Sequence, residues 1–215
     1  IKVVTLTGRG AAFCAGVDFG AIAESTGIER DSYPSFIRRW ARIADSFERC
    51  PQPTIAAING ACVGAGFEIA LACDIRVASS KAVFAMPQMM MGMVPDVGGT
   101  SRLARAAGAA VAKDLILSSR VIDAEEALRW GIVSRVVEAD RLAAEVAAIS
   151  RHIAGIPWPA PHLAMTAIDT GLRLDSRSAA DLEAIADQVL LREKAVWDRI
   201  QGFVRARGLK SEARE

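Results

Sequence analysis

Two buried elements meet in the stretch Thr54-Ile-Ala-Ala-Ile-Asn-Gly-Ala-Cys-Val-Gly-Ala-Gly-Phe-Glu-Ile-Ala-Leu-Ala-Cys-Asp74. The apolar run from Ile55 to Ile58 predicts a strand, and Asn59-Gly60 predicts the turn that follows it. Gly64-Ala65-Gly66 predicts the entry to a helix, whose apolar face carries Phe67, Ala70, Leu71 and Cys73. We therefore expect a strand joined to a helix by a turn with little side-chain bulk.

The predicted helix start has no Ser, Thr, Asp or Asn to cap it. Its first backbone N–H groups are then available to water or to a ligand oxygen, and small residues let such a ligand come close. Glu68 lies one turn beyond these donors and would face the carbon next to a bound oxygen, which is a geometry for acid or base catalysis. Alternatively, Glu68 only offsets the helix dipole, which contributes about 0.3 to 1 kcal/mol.

A second turn of small residues follows the predicted strand Lys2 to Thr7. It runs Phe13-Cys-Ala-Gly-Val-Asp18, and the backbone N–H of Val17 could face a ligand as that of Ala65 could. Two such donors would suit an oxyanion hole, in which each stabilises developing negative charge by about 2.7 to 4 kcal/mol. Turns that contain Ala-Gly are also common elsewhere, so this segment alone leaves both interpretations open.

The composition is typical of a water-soluble protein with one core. Of the 215 residues, 52% are hydrophobic and 24% are charged, and the net charge is +1. There is no basic excess for nucleic acid, no apolar run of the ~18 residues that a membrane span needs, and no signal peptide at the start. We expect a cytoplasmic protein with no nucleic-acid or membrane partner. Because the chain starts at Ile1, inside a strand and without Met, we expect that a preceding segment is missing.

The four cysteines form no CxxC pair. Cys62 and Cys73 lie in apolar surroundings, so buried free thiols are expected rather than disulfides or a zinc site. No metal site is predicted.

The irregular stretch Met86 to Thr100 follows two further predicted strands, Asp74 to Ala78 and Ala82 to Ala85. Its methionines supply adaptable apolar surface, which would line a pocket or belong to the core. Asp96 is its only ionisable residue, and this side chain either caps a helix that starts near Gly99 or belongs to a site.

Helices dominate the rest of the chain. A helix is predicted from Pro34, after a loop from Gly20 to Tyr33, and another from Asp140 to Gly155, after a strand from Val133 to Val137. Pro157-Trp-Pro-Ala-Pro161 is a stiff hinge and the best candidate boundary. We therefore expect a core over residues 1–155 and a helical region over 156–215 that serves oligomerisation. Beyond Ser178 a single long amphipathic helix is predicted, with an apolar stripe of Leu182, Ile185, Val189, Val196, Ile200 and Phe203.

Three ordered motifs resemble the crotonase superfamily, the enoyl-CoA hydratase/isomerase family. They are Thr5-Leu-Thr-Gly-Arg-Gly-Ala-Ala-Phe-Cys-Ala-Gly-Val-Asp18, the stretch from Ala57 to Arg76, and Phe84-Ala-Met-Pro-Gln88 continuing through Gly92 to Leu103. The resemblance covers Lys2 to about Val137 strongly and the helical tail weakly. It implies an α/β fold, a spiral of ββα units with an α-helical C-terminal region, assembled as trimers or hexamers.

The resemblance also implies an acyl-CoA thioester substrate, with coenzyme A as part of the substrate and no separate cofactor. The backbone N–H groups of Val17 and Ala65 would form the oxyanion hole, and Glu68 matches one of the two catalytic glutamates of the hydratases. Residues implied to bind coenzyme A or substrate are Ala15, Gly16, Asp18 and Gly64.

The second catalytic glutamate of the family pattern is replaced by Gln88. A glutamine can orient water but cannot exchange a proton with substrate, which argues against ordinary hydratase chemistry. Asp96 resembles the position at which dienoyl-CoA isomerases carry a catalytic Asp. The expected function is hydration or double-bond isomerisation of fatty acyl-CoA thioesters. The alternatives are a non-catalytic acyl-CoA binder or a degenerate homologue, and a hydrolase or decarboxylase on the same fold.

Overall fold

The computed structural model describes residues 1–18, 20 and 33–207. The chain divides into two compact units, the first comprising Ile1–Arg151 and the second beginning at His152. Most of the loop predicted between Gly20 and Tyr33, residues 21–32, lies outside the described residues.

The first unit contains two four-stranded sheets, and the first six strands alternate between them. One sheet is parallel throughout, with its strands in the order β1 (Val4–Thr7), β3 (Thr54–Ile58), β5 (Ile75–Ser79) and β8 (Arg135–Val137). The other has the order β2 (Ala12–Cys14), β4 (Ala61–Val63), β6 (Val83–Ala85) and β7 (Ile122–Asp123), and only β7 is antiparallel to its neighbour. The pairs β3–β4 and β5–β6 each lead into helix, which agrees with the predicted spiral of ββα units.

Six α-helices and one 3₁₀ helix are found in the described part of the first unit. The α-helices are α1 (Tyr33–Glu48), α2 (Ala65–Leu71), α3 (Gly99–Ala107), α4 (Ala109–Ser118), α5 (Ala124–Arg129) and α6 (Leu142–Ala154), which continues three residues past the boundary. The 3₁₀ helix, Pro87–Met91, occupies the stretch predicted to be irregular.

The core of this unit lies around β3 and α2. Every residue of β3 and of α2 is buried, including Glu68. Phe67 of α2 packs on Phe84 of β6, with ring centroids 5.3 Å apart. As predicted, Cys62 and Cys73 are buried free thiols.

The second unit is helical, and the prediction of one long C-terminal helix is wrong. The described helices are α7 (Ala160–Gly171), α8 (Ser176–Leu190) and α9 (Lys194–Ala206). Residues 191–193 leave the helix, although Leu191-Arg-Glu193 has ordinary helix propensity. The Trp197 indole N–H donates to the Leu191 carbonyl, which satisfies an acceptor freed by the end of α8. Within the described residues, no helix has the length and apolarity that a membrane crossing requires.

Candidate active site

The two predicted turns of small residues meet backbone to backbone. Gly16 and Gly64 have φ angles of 97° and 54°, a region that favours glycine. A Cβ added to Gly16 would lie 3.1 Å from the Val63 carbonyl oxygen and 3.7 Å from the Ala65 nitrogen. The absence of side chains therefore permits the close approach of the two turns.

Two backbone donors are unused where these turns meet. Helix α2 begins at Ala65, and Gly64 before it provides no side-chain cap. Within the described part of the chain, neither the Ala65 N–H nor the Val17 N–H has an acceptor. Both residues line one cavity, so their amides are available to a ligand oxygen, as an oxyanion hole requires.

This cavity has a volume of about 70 Å³. It brings together eight of the nine residues singled out from the sequence: Ala15, Gly16, Val17, Gly64, Ala65, Glu68, Gln88 and Asp96. The ninth, Asp18, is a described residue but does not line the cavity. Two methionines of the 86–93 segment, Met91 and Met93, do line it, whereas Met86 is fully buried and Met90 is exposed.

Glu68 is the buried carboxyl group at the base of this arrangement, with an exposed fraction of 0%. Its Oε1 accepts hydrogen bonds of 2.8 Å from the backbone N–H groups of Val97 and Gly99. Its Oε2 accepts a 2.9 Å bond from the side-chain amide of Gln88. Three donors therefore hold the carboxylate in one orientation.

Burial raises the pKa of Glu68 from its ordinary value of 4.5 to about 7. The amides of Gly99 and Val97 oppose this shift because they stabilise the carboxylate, the negative charge of Asp96 adds to it, and Arg102 opposes it. A carboxyl group with a pKa near neutrality can both accept and donate a proton at physiological pH. The environment of Glu68 is therefore suited to proton transfer.

Comparisons with known proteins agree with this geometry. Residues 1–208 match the family described as enoyl-CoA hydratase/isomerase. A probable enoyl-CoA hydratase of Rhizobium meliloti is 38% identical over 87% of this chain and 74% of its own length. The short-chain-enoyl-CoA hydratase of Clostridium acetobutylicum is 35% identical over 98% of this chain and 80% of its own. The crystal structure of enoyl-CoA hydratase from Bacillus anthracis superposes on this chain with a TM-score of 0.90 and 34% sequence identity. The match covers 95% of this chain and 79% of the Bacillus anthracis chain.

The chain belongs to the enoyl-CoA hydratase/isomerase family. The predicted crotonase fold and family membership are thus confirmed. This is an enzyme family, and the interpretation as a non-catalytic or degenerate homologue is not favoured.

In this family member only the Nε2 end of the Gln88 side-chain amide bonds to Glu68. The residue is 8% exposed and lines the cavity, yet its Oε1 is buried without a hydrogen-bond partner within the described residues. A buried acceptor that lacks a partner is costly, on the order of 1 to 3 kcal/mol. A ligand hydroxyl or a water that donates to this oxygen would remove that cost.

Asp96 is half-buried and lines the same cavity. The alternative that it caps a helix is wrong, because α3 has Gly98 at its N-cap position with no side-chain cap. Burial raises the pKa of Asp96 above its usual range. Its position in the cavity and this upward shift of its pKa are both compatible with a role in proton transfer.

Sequence reasoning missed the groups that hold Glu68 in place. Two of them are backbone amides, which no residue type signals in advance. A third is Arg102, a buried side chain in α3 whose Nη1 donates a 2.7 Å bond to the Val97 carbonyl oxygen. No local signal singled out Arg102, because the helix carries a second arginine, Arg105, one turn later.

Proposed function

We propose that this enzyme shifts a double bond along enoyl-CoA thioesters, with Glu68 as the group that carries the proton. The observation that supports this reaction is the pairing of Glu68 with Gln88, since the amide cannot act as a second acid or base. A 1,3-proton shift needs only one group that first removes and then returns a proton.

In the proposed reaction, the Glu68 carboxylate removes a proton from C2 of a 3-enoyl thioester. The electron pair of the broken C–H bond moves toward the thioester oxygen, and the Val17 and Ala65 amides stabilise the enolate that forms. The Glu68 carboxylic acid then returns the proton to C4, which leaves a C2–C3 double bond and regenerates the carboxylate. We assign Asp96 as a further proton partner for substrates whose conjugated system extends beyond the reach of Glu68.

We propose that the rest of the thioester binds along the glycine turns. Ala15, Gly16 and Gly64 line the cavity, and Asp18 follows the first turn and would contact the coenzyme A portion outside it. In this proposal coenzyme A is part of the substrate, and no separate cofactor is needed.

An absorbance assay with two substrates tests the proposed reaction. The conjugated 2-enoyl thioester absorbs where the 3-enoyl isomer and the 3-hydroxyacyl product do not. Isomerisation of a 3-enoyl-CoA therefore raises the signal, and hydration of a 2-enoyl-CoA lowers it. A rise with the first substrate that exceeds the fall with the second supports isomerisation, and no change with either contradicts both reactions.

Hydration is the second candidate function. The unpartnered Oε1 of Gln88 favours it because this oxygen could accept a hydrogen bond from an attacking water. Similar proteins, among them those of Rhizobium meliloti and Clostridium acetobutylicum, are named as enoyl-CoA hydratases.

Gln88→Glu is expected to raise hydration of a short 2-enoyl-CoA on the order of 10- to 100-fold, because it supplies a second proton-transferring group. The new carboxyl group would lie within hydrogen-bond distance of Glu68, so the two would share a proton near neutrality. Initial rates from the loss of enoyl absorbance measure the effect. Gln201→Glu, an exposed change of the same chemistry in α9, is the control. A rate as low as that of the unmodified enzyme would show that the residue at position 88 does not limit hydration.

We also propose that the second unit assembles the enzyme into a trimer or hexamer. Helices α8 and α9 leave large apolar side chains exposed, among them Ile185, Val189, Ile200 and Phe203. Exposed apolar surface of this kind is typical of protein interfaces. Ile185→Glu is expected to shift the enzyme to smaller species in sedimentation velocity, whereas Val121→Glu, on an exposed residue of the first unit, should not. A monomer before any substitution would contradict the proposal.

A further inference from the structure

Arg102 is a buried guanidinium that the proposed chemistry does not use. Its exposed fraction is 6%, and all of its side-chain donor nitrogens bond to protein. On one side it reaches α1, where Nε and Nη2 donate to Glu48 at 3.0 and 2.6 Å and Nη2 donates to Asp45 at 2.8 Å. The paired carboxylates offset the high cost of burying the charge.

On its other side, Arg102 holds the turn that contacts Glu68. Its Nη1 donates to the Val97 carbonyl oxygen at 2.7 Å, and its own backbone N–H donates to the Gly98 carbonyl oxygen at 3.1 Å. The amides of Val97 and Gly99, on the same turn, donate to Glu68 Oε1. One residue therefore fixes two carbonyls of the turn whose N–H groups orient the catalytic carboxyl.

The contact between the guanidinium and this turn is too close to allow a side chain between them. A Cβ added to Gly98 would lie 2.2 Å from Arg102 Nη1, and the φ of Gly98 is 91°. The turn and the guanidinium are thus packed directly against each other. A small movement of Arg102 would be transmitted to the amides on Glu68.

We infer that Arg102 is a positioning residue for Glu68, which links the Val97–Gly99 turn to α1 through Asp45 and Glu48. This inference rests on the proposed role of Glu68 in proton transfer. Helix α1 also supplies Ile37 to the cavity lining. We call this group of contacts, Arg102 with Asp45, Glu48 and the Val97–Gly99 turn, the Arg102 clamp. The clamp connects helix α1, which forms part of the cavity wall, to the turn that orients the Glu68 carboxyl group.

The charged groups around Glu68 and Arg102 come from three elements of the described chain. Glu68 faces Asp96 from the loop before α3 and Arg102 from α3 itself. Arg102 faces Asp45 and Glu48 from α1. Within the described part of the chain, Arg105 pairs with Glu48 alone, at 3.3 Å, and its side chain is 50% exposed. It therefore provides a matched arginine that shares Glu48 but has no hydrogen bond to the Val97–Gly99 turn.

The test compares Arg102→Met and Arg102→Lys with Arg105→Met in the full chain. The midpoint of the Glu68 titration is measured without substrate by infrared difference spectroscopy of the protonated carboxyl band, with Glu68→Gln identifying that band. Arg102→Met is expected to move the midpoint to higher pH, because a positive charge is lost and the two amides are loosened. Arg102→Lys should move it less, since the charge remains.

Both Arg102 substitutions are expected to lower kcat on the order of tenfold, equivalent to about 1.4 kcal/mol on the barrier, with KM little changed. Lysine has no planar fork and cannot reach the Val97 carbonyl and both carboxylates together. Arg105→Met should leave the midpoint and kcat unchanged. An unshifted Glu68 midpoint in folded Arg102→Met overturns the inference.

If Arg102→Met does not fold, Arg102→Lys decides the question, because a folded lysine variant with unchanged kcat overturns the inference. The infrared measurement also separates this inference from the proposed function. A shifted midpoint in an enzyme without turnover would support the clamp and contradict the reaction.

Discussion

Glu68→Gln is expected to abolish turnover of 3-enoyl and 2-enoyl-CoA thioesters, with kcat at least about 1,000-fold lower, while binding of a saturated acyl-CoA stays intact. The substitution removes the group that accepts and returns the proton, and general acid–base catalysis contributes about 10² to 10⁴-fold. The Val17 and Ala65 amides, which would bind the thioester oxygen, are unchanged. Steady-state rates and calorimetric binding of butyryl-CoA measure the two effects separately.

The architecture around Glu68 can accommodate this amide. The Val97 and Gly99 N–H groups would donate to its oxygen as they do to Oε1 of Glu68. Its NH₂ group would face Gln88, whose unpartnered Oε1 can accept once the Gln88 amide has turned over. A loss of activity in this variant therefore reports on chemistry rather than on misfolding. Turnover at the unmodified rate would eliminate Glu68 as the proton carrier.

The raised pKa of Glu68 predicts how activity depends on pH. The carboxylate form acts first, so kcat/KM of the unmodified enzyme is expected to rise with pH through the pKa of Glu68, which burial raises to about 7.

The raised pKa of Glu68 also makes the free energy of unfolding depend on pH. Between pH 4.5 and about 7 the unfolded chain loses the Glu68 proton while the folded chain keeps it, so stability falls as pH rises. The shift corresponds to about 3 kcal/mol, and Glu68→Gln removes this loss. Its free energy of unfolding should therefore exceed that of the unmodified enzyme by more at pH 8 than at pH 5.

The cavity could be predicted from the sequence because its walls are local. An apolar strand, a turn of glycines and an uncapped helix start are encoded in neighbouring residues, and together they placed Ala65 and Glu68. The turn at Gly16 is encoded in the same way. That these two turns touch depends on β1 pairing with β3 and on β2 pairing with β4, which local patterns do not specify.

Short and long-range features escaped sequence-based prediction. Strands β2 and β4 are three residues long and have no alternating pattern of useful length. Helix α8 ends without a helix-breaking residue, and the Leu191 carbonyl beyond it accepts a hydrogen bond from the Trp197 indole, a contact that helix propensity does not indicate. The Arg102 clamp joins residues 54 and 57 positions apart, so the charge pattern of α3 alone cannot reveal its partners.

The geometry around Glu68 depends on a glycine as much as on its hydrogen bonds. Gly99 is the first residue of α3 and its N–H donates to Glu68 Oε1. A Cβ at this position would lie 2.6 Å from Glu68 Cγ and 2.7 Å from Oε1, both too short for a real contact. The Glu68 side chain cannot move away toward solvent, because it is fully buried and its Oε2 is bonded to Gln88.

Gly99→Ala is accordingly expected to lower kcat at least about 100-fold, since a displacement near 1 Å at a reacting group has an effect of that order. Overpacking should also lower the free energy of unfolding by about 1 to 3 kcal/mol, although alanine has the higher helix propensity. The matched control is Gly202→Ala, inside α9, where an added Cβ meets nothing within 4 Å. That change should leave kcat unaltered and stabilise the fold by about 0.5 to 1 kcal/mol. Rates and urea unfolding of both variants measure these effects. Full activity in a folded Gly99→Ala enzyme would mean that the Val97–Gly99 turn yields to the methyl group, and that Glu68 is positioned by Gln88 alone.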